Sequence, residues 1–213
     1  STAAVYGQPN SELISEDHST QPVNPYGRSK LFIEQALQDL VQQHSKKAVV
    51  FRYFNAAGAD TQGQIGEAHS PESHLIPITL QVASGQREQL IIFGDDYDTP
   101  DGTCVRDYIH VSDLAEAHVT AVKNGEGLKA GCMEVFNVGI GKGFSVKEVI
   151  EAAQEVTGKT INYRIGHRRG GDPAYLVSNP SKIKSQLAWT PKWTNLQQII
   201  DSAWKWHQQG RSK

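Results

Sequence analysis

The chain has 213 residues, 38% of them hydrophobic and 21% charged, with a formal net charge of −2. That length can bury a core, and the near-neutral balance gives no electrostatic reason to expect nucleic acid or an anionic membrane as a partner. Cys104 and Cys132 are far apart, so neither a disulfide framework nor a zinc site is implied, and no apolar run is long enough for a membrane helix; small-molecule chemistry in a reducing cytoplasm is the expectation.

The opening Ser1-Thr2-Ala3-Ala4-Val5-Tyr6-Gly7 reads as the end of a strand and has no initiator Met, which suggests the later part of a longer chain. Asn24-Pro25-Tyr26 then opens a helix, with Asn as N-cap and Pro where its missing N–H costs nothing. Ile33, Ala36, Leu37, Leu40 and Val41 recur at helical spacing and predict one buried stripe on a helix reaching about His44. The run from Ala48 to Asn55 is too continuously apolar for a surface strand and predicts a central parallel strand covered on both faces. A loop containing glycine and histidine follows over residues 56–73.

Leu75 to Ser84 reads as a helix stopped at Gly85, and Leu90 to Phe93 as a short strand. Beyond an aspartate-rich loop, Thr103 to Val111 is the next strand, and Ser112 is expected to cap a helix ending at Gly125. Val135 to Val138 reads as another strand. Ser145 and Glu148 have capping-box spacing, each able to satisfy a backbone N–H left free at a helix start, and their helix should run to Gly158. Ile161 to Ile165 has strand character, and two helices close the chain, one opened by Asn179-Pro180 and one from Leu196 to about Gln209. There is no internal repeat, low-complexity tract or long linker.

Tyr26 and Lys30 stand four apart on the first helix, so they share one face and can act on one substrate. A phenol is a weak base at neutral pH, but a nearby ammonium favours the phenolate, which can accept a proton from an alcohol. The spacing alone is weak evidence. Its setting is more specific, because PYGRSK lies between STAAVYG and RYFNAAG.

That order resembles the extended short-chain dehydrogenase/reductase family, and within it the UDP-galactose (UDP-glucose) 4-epimerases, across essentially the whole chain. The resemblance implies an α/β fold: the C-terminal part of a Rossmann-like doubly wound parallel sheet plus a smaller mixed α/β substrate-binding domain. Residues 1–60 would be the remainder of the NAD-binding domain. Residues 61–213 would mainly bind the nucleotide sugar, with residues 103–125 returning to the sheet. By the same resemblance, Thr2, Tyr26 and Lys30 form the catalytic set around a nicotinamide, so the implied cofactor is NAD, and Phe54 is a further cofactor contact.

The family's dehydratases carry an Asp-Glu pair after the hydroxyl at the Thr2 position, to move the protons of a water elimination. This chain has Ala3-Ala4 there, and methyl groups cannot move protons. The implied reaction is therefore oxidation and re-reduction at one carbon of a UDP-sugar. Asn55, His74 and Leu75 would contact the substrate, although His74 stands where the family often has Asn. Ile91, Ile92 and Phe93 would lie against the uracil. Arg106, with Tyr108 beside it, and Arg169 would grip the diphosphate, Asp172 would accept a ribose hydroxyl, and Leu176 falls at the family's size-gating position. Leu is intermediate in bulk there, leaving hexose, N-acetylhexosamine and pentose open. Paired helices commonly make dimers in this family, so the resemblance allows a homodimer of the full-length protein and leaves the oligomeric state open.

The family's glycine-rich dinucleotide loop and its acidic ribose-reading residue are absent from this sequence. A catalytically silent nucleotide-sugar-binding fragment is accordingly the alternative to an active epimerase, and the 213-residue chain by itself is expected to be poorly active. Two further motifs carry no expected chemistry. Gly139-Ile140-Gly141-Lys142-Gly143 lacks the spacing of a phosphate loop and reads as a turn before Ser145. His69 and His74 have no acidic or thiol partner at a metal-ligand spacing, so no metal is expected.

Overall fold

A computed structural model describes residues 1–210. Thr2 makes a single parallel bridge to Tyr53, after which Ala3–Tyr6 coil into a 3-10 helix, so the expected strand end is reduced to one residue. The Thr2 hydroxyl accepts from Ala4 N at 3.2 Å and caps that turn. Strand β1 (Leu13–Ile14) follows, then helix α1 (Pro25–His44). The Asn24 side chain accepts from Gly27 N at 2.8 Å and Pro25 takes the first turn, so α1 begins as its sequence dictates.

The buried face of α1 is not the predicted one. Gly27, Glu34 and Val41 are the buried positions, Leu37 is half-buried, and Ile33, Ala36 and Leu40 are exposed. An ion pair accounts for the difference. Arg52, on β2 (Lys47–Tyr53), forks onto Glu34 with Nε–Oε1 at 3.1 Å and Nη2–Oε2 at 2.7 Å, and its Nη1 donates to the Tyr6 hydroxyl at 2.9 Å. Tyr6 in turn donates to Asn137 Oδ1 at 2.7 Å. A fully paired polar network therefore fastens α1 to the sheet where periodicity predicted apolar contacts.

β2 pairs in parallel with β6 (Cys132–Val138) over seven residues, from Lys47↔Cys132 to Tyr53↔Val138. This bears out a parallel strand. Its covering is incomplete on both faces toward the start, where the adjacent Ala48 and Val49 are only half-buried. Ala56 and Ala57, expected at the head of a loop, instead join Asn55 in a separate strand β3 (Asn55–Ala57), paired in parallel with β5 (Val105–His110). β9 (Tyr175–Ser178) joins the other edge of β5 and carries β1 beyond it, giving the order β1-β9-β5-β3, with the short β7 (Gly143–Ser145) antiparallel on β5. β4 (Leu90–Phe93) and β8 (Tyr163–Gly166) form a separate parallel pair. β7 and β9 have no sequence-level counterpart above: each is too short to show period-2 alternation and gains its partner only from tertiary contact.

Helices α2 (Leu75–Ala83), α4 (Val146–Thr157) and α6 (Leu196–Gln208) pack on one another, and α3 (Val111–Asn124) and α5 (Ser181–Leu187) complete the fold. Ile199 and Ile200 are completely buried, a burial worth about 1.5–3 kcal/mol for each side chain. The capping box of α4 is present, with Glu148 N to Ser145 Oγ at 3.0 Å and Ser145 N to Glu148 Oε2 at 2.7 Å. The glycine-rich segment before it is a turn clamped from within. Buried Asp107 accepts from Ile140 N at 2.8 Å, Gly141 N at 3.0 Å and Ser178 N at 3.1 Å. Gly141 sits at φ +80°, where a side chain would be strained. Burial pushes the Asp107 carboxyl up from its ordinary value, against the pull of these donors.

Helix α3 is capped by His110, not by Ser112. His110 Nδ1 accepts from Ser112 N at 3.0 Å, its Nε2 lies 3.0 Å from Ser202 Oγ, and its ring stacks on Trp193 at 4.4 Å. An accepting Nδ1 requires a neutral ring, and burial lowers the His110 pKa below its ordinary 6.5. A base depressed in the folded state gives stability that is complete above the unfolded pKa and lost as pH falls below it. Unfolding measured from pH 7 to 5 should therefore show stability declining from about pH 6.5 downward, by at most about 1.4 kcal/mol per pH unit for this group. His110→Asn keeps a capping acceptor without the titration and should flatten part of that slope. His207, also lowered by burial, contributes in the same direction.

Candidate active site

Where α1 begins, its backbone lies against the first 3-10 turn. A β-carbon on Gly27 would stand 2.4 Å from the Ala4 carbonyl oxygen, so only glycine permits this approach. The contact brings Tyr26 beside Thr2, and both side chains line a cavity of about 870 Å³. Tyr26 is 57% exposed and Lys30 Nζ lies 5.5 Å from the centre of its ring. Among the described residues, neither the Tyr26 hydroxyl nor the Lys30 ammonium has a hydrogen-bond partner, so both are open to a ligand. Lys30 lines a second hollow, together with Ser1 and Glu34.

The same large cavity gathers Phe54 and Asn55 from the β2–β3 junction, His74 and Leu75 from the start of α2, Arg106 and Tyr108 from β5, and Leu176 from β9. Ala3 and Ala4 lie in its wall next to Thr2 and offer no proton-carrying group. Arg106 is braced by the backbone: its Nη1 donates to the carbonyls of Val105 at 2.9 Å and Pro173 at 2.8 Å, and its Nη2 stands 3.8 Å from Asp172 Oδ1. Tyr108 is almost wholly buried, and burial raises its phenol pKa. It serves as a fixed wall.

Ile91, Ile92, Phe93, Arg169 and Asp172 do not line this cavity. Arg169 and Phe93 nevertheless meet, with the guanidinium carbon 3.8 Å from the ring centre, and Arg106 links the loop of Asp172 to β5. Ile92 is a correction: alternation along β4 turns its side chain into the core at 1% exposure, while Ile91 and Phe93 face the other way.

His74 is a second correction. Its Nδ1 lies 2.6 Å from Glu67 Oε1 and 3.0 Å from Glu72 Oε1, and the Glu67 contact, the largest influence, raises its pKa to about 9. His69 Nδ1 reaches the same Glu67 oxygen at 2.7 Å. The two histidines therefore do have acidic partners, at Glu67 and Glu72, and all four line the cavity. The signal was the spacing Glu-x-His-x-x-Glu-x-His within a loop that doubles back. Trp206 was also missed: its indole donates to the Glu67 carbonyl at 2.9 Å, and it lines the cavity from α6, a position that helical periodicity assigns to ordinary core.

A phenol and a hydroxyl lining one cavity with a braced arginine, and an ammonium beside the phenol, on a parallel α/β fold, define the class. The chain belongs to the family described as GDP-mannose 4,6 dehydratase, whose model matches residues 1–202. Within that class its relatives carry a narrower name. A UDP-glucose 4-epimerase of Halalkalibacterium halodurans is 53% identical over 209 residues, covering 98% of this chain and 62% of that protein. A crystal structure of a UDP-glucose 4-epimerase superposes with TM-score 0.92 at 50% identity, covering 98% of this chain and 63% of the other. That of Bifidobacterium longum, in complex with NAD+ and UDP, superposes with TM-score 0.93 at 39% identity, covering 100% of this chain and 64% of the other. The chain thus spans about three-fifths of the length of the relatives it matches.

Proposed function

We propose that the complete protein interconverts UDP-glucose and UDP-galactose, inverting carbon 4 of the sugar with NAD as cofactor. The observation that carries this reading is the placement of Tyr26 and Thr2 in one cavity with Arg106, where the positions next to Thr2 are Ala3 and Ala4 and supply no acid–base pair for a water elimination. The residues fit the nicotinamide end of the cofactor: Tyr26 and Lys30 present unpartnered polar atoms for ribose and carboxamide oxygens, and Phe54 supplies an apolar wall. When bound, the cofactor accepts a hydride from the sugar and returns it.

The protein's own part is position and proton transfer. Tyr26 Oη takes the proton of the sugar 4-hydroxyl as the C4–H bond breaks, leaving a planar ketone that has lost its configuration. The Lys30 charge favours the phenolate during this step, and Thr2 orients the reacting oxygen. The keto sugar turns over within the wide cavity, and Tyr26 returns the proton on the other face. Arg106 and Arg169 hold the diphosphate while Asp172 accepts a ribose hydroxyl, so the nucleotide stays fixed as the sugar rotates. We assign residues 1–60 to the cofactor and residues 61–213 mainly to the nucleotide sugar, with residues 103–125 returning to the sheet. Conversion of UDP-galactose to UDP-glucose by the complete polypeptide with NAD tests the reading, and absence of turnover by folded protein would reject it.

Leu176 is half-buried in the cavity wall and its bulk sets the room beside the sugar. Leu176→Ala should raise relative kcat/KM for the UDP-N-acetylhexosamine over the UDP-hexose by about 10-fold or more, the scale of one to a few methylenes in a substrate pocket, while Leu176→Tyr should lower it. Competition assays with both sugars read the ratio. We also place the protein in the cytoplasm, in keeping with its two free cysteines and the lack, among the described residues, of a helix long and apolar enough to cross a membrane. Self-association through Phe32 and Ile33 of α1 and Val122 of α3, all exposed, completes the reading.

A further inference from the structure

The loop between β3 and α2 brings two imidazoles and two carboxylates to one point beside the cavity. One potential ligand atom from each of Glu67, His69, Glu72 and His74 lies within 4.8 Å of all the others. Glu67 Oε1 receives both imidazole Nδ1 atoms, His69 at 2.7 Å and His74 at 2.6 Å. The Glu72 side chain is only 5% exposed; its Oε1 takes Ser73 N and His74 N at 2.7 Å each, and its Oε2 takes no hydrogen bond among the described residues. We propose that these four side chains bind a divalent transition-metal cation, with zinc the best match, which pins this loop against the substrate cavity.

The chemistry and the geometry agree. Two imidazoles and two carboxylates form a donor set suited to zinc, the ion displacing the proton that an imidazole shares with Glu67, and the two negative charges balance the ion. A tetrahedral ion with bonds of about 2.0–2.1 Å sets its ligand atoms about 3.4 Å apart. The observed separations run from 2.6 Å to within 4.8 Å, so reaching that geometry changes ligand separations by about 1.4 Å at most, within the reach of side-chain rotation. The loop is already held from outside. Trp206 Nε1 donates to the Glu67 carbonyl at 2.9 Å, and Gly66 lies flat on the indole, where a β-carbon would come within 2.3 Å of it. The ligands are thereby gathered before an ion arrives, which lowers the cost of ordering them. A histidine pair bridged only by a glutamate would explain the contacts at Glu67 but not why the nearly buried Glu72 carboxylate is gathered at the same point.

This assignment gives His74 a role independent of the nucleotide sugar and does not depend on the reaction proposed above. The test uses the complete polypeptide, stripped with chelator and titrated with Zn2+ alone by calorimetry in competition with a chromogenic chelator. One zinc per chain is expected. His69→Ala/His74→Ala and, separately, the near-isosteric Glu67→Gln should weaken binding by about 100-fold or more, since even residues behind a metal's ligands govern 10–100-fold in affinity. His44→Ala and His167→Ala, at exposed histidines outside the cluster, should leave binding unchanged. Co2+ in place of Zn2+ should give the intense visible bands of a four-coordinate centre in the wild type and not in Glu67→Gln. Circular dichroism confirms that each variant is folded. Failure of the folded wild type to bind zinc stoichiometrically, or equal affinity in the cluster variants, would overturn the assignment.

Discussion

Tyr26→Phe in the complete polypeptide should lose about 10²–10⁴-fold in kcat for UDP-galactose while its affinity for UDP stays within about 2-fold of wild type, the range expected when a positioned general acid–base group is removed without disturbing the nucleotide grip. The substitution deletes one oxygen from a side chain that is 57% exposed and has no hydrogen-bond partner among the described residues, so folding should be untouched. Lys30→Met should act differently. Its ammonium stands 5.5 Å from the centre of the Tyr26 ring and has no hydrogen-bond partner among the described residues, so both kcat and the affinity for NAD should fall while UDP affinity is kept. A Tyr26→Phe variant with near wild-type turnover would remove Tyr26 from the proton path. Loss of UDP affinity in step with kcat would instead make it a binding residue.

The proton-transfer groups were legible in the sequence because local rules set them. Asn24-Pro25 starts α1, the four-residue spacing puts Tyr26 and Lys30 on one face, and Gly27 allows the close approach to Ala4. The capping box at Ser145 and the strand at Leu90–Phe93 were readable for the same reason. What failed was long-range. The apolar stripe of α1 misidentified its buried face because Glu34 is buried by Arg52, a residue 18 positions away on another element. His110 took the cap expected of Ser112, since its ring is fixed by Ser202 and Trp193 far along the chain. Glu67 reached His74, seven residues on, only because the loop folds back, and β7 and β9 exist only as additions to β5. Spacing reports neighbours along an element; it does not report which element arrives from elsewhere.

The Glu34–Arg52 pair has the largest expected effect on stability. Both side chains are nearly sealed, at 5% and 7% exposure, and the pair is bidentate, with the Arg52 guanidinium also stacked 4.8 Å from the Tyr6 ring centre. Glu34→Ala removes the only carboxylate that Arg52 contacts among the described residues and leaves a buried cation that cannot shed its proton, so the complete polypeptide should lose about 3–5 kcal/mol in urea unfolding. Replacing both partners, Glu34→Leu with Arg52→Met, removes the charge along with its partner and should cost distinctly less than Glu34→Ala alone, because the desolvation of both ions is also removed. The residual cost would fall on Tyr6, whose hydroxyl keeps Asn137 but loses the Arg52 donor. A loss below about 1 kcal/mol for Glu34→Ala would mean that the pair behaves as a solvated surface bridge and that α1 is held to the sheet by its other contacts. The larger loss, with activity falling in parallel, would make this ion pair the fastening that keeps Tyr26 at the cavity, two turns upstream of Glu34 on the same helix.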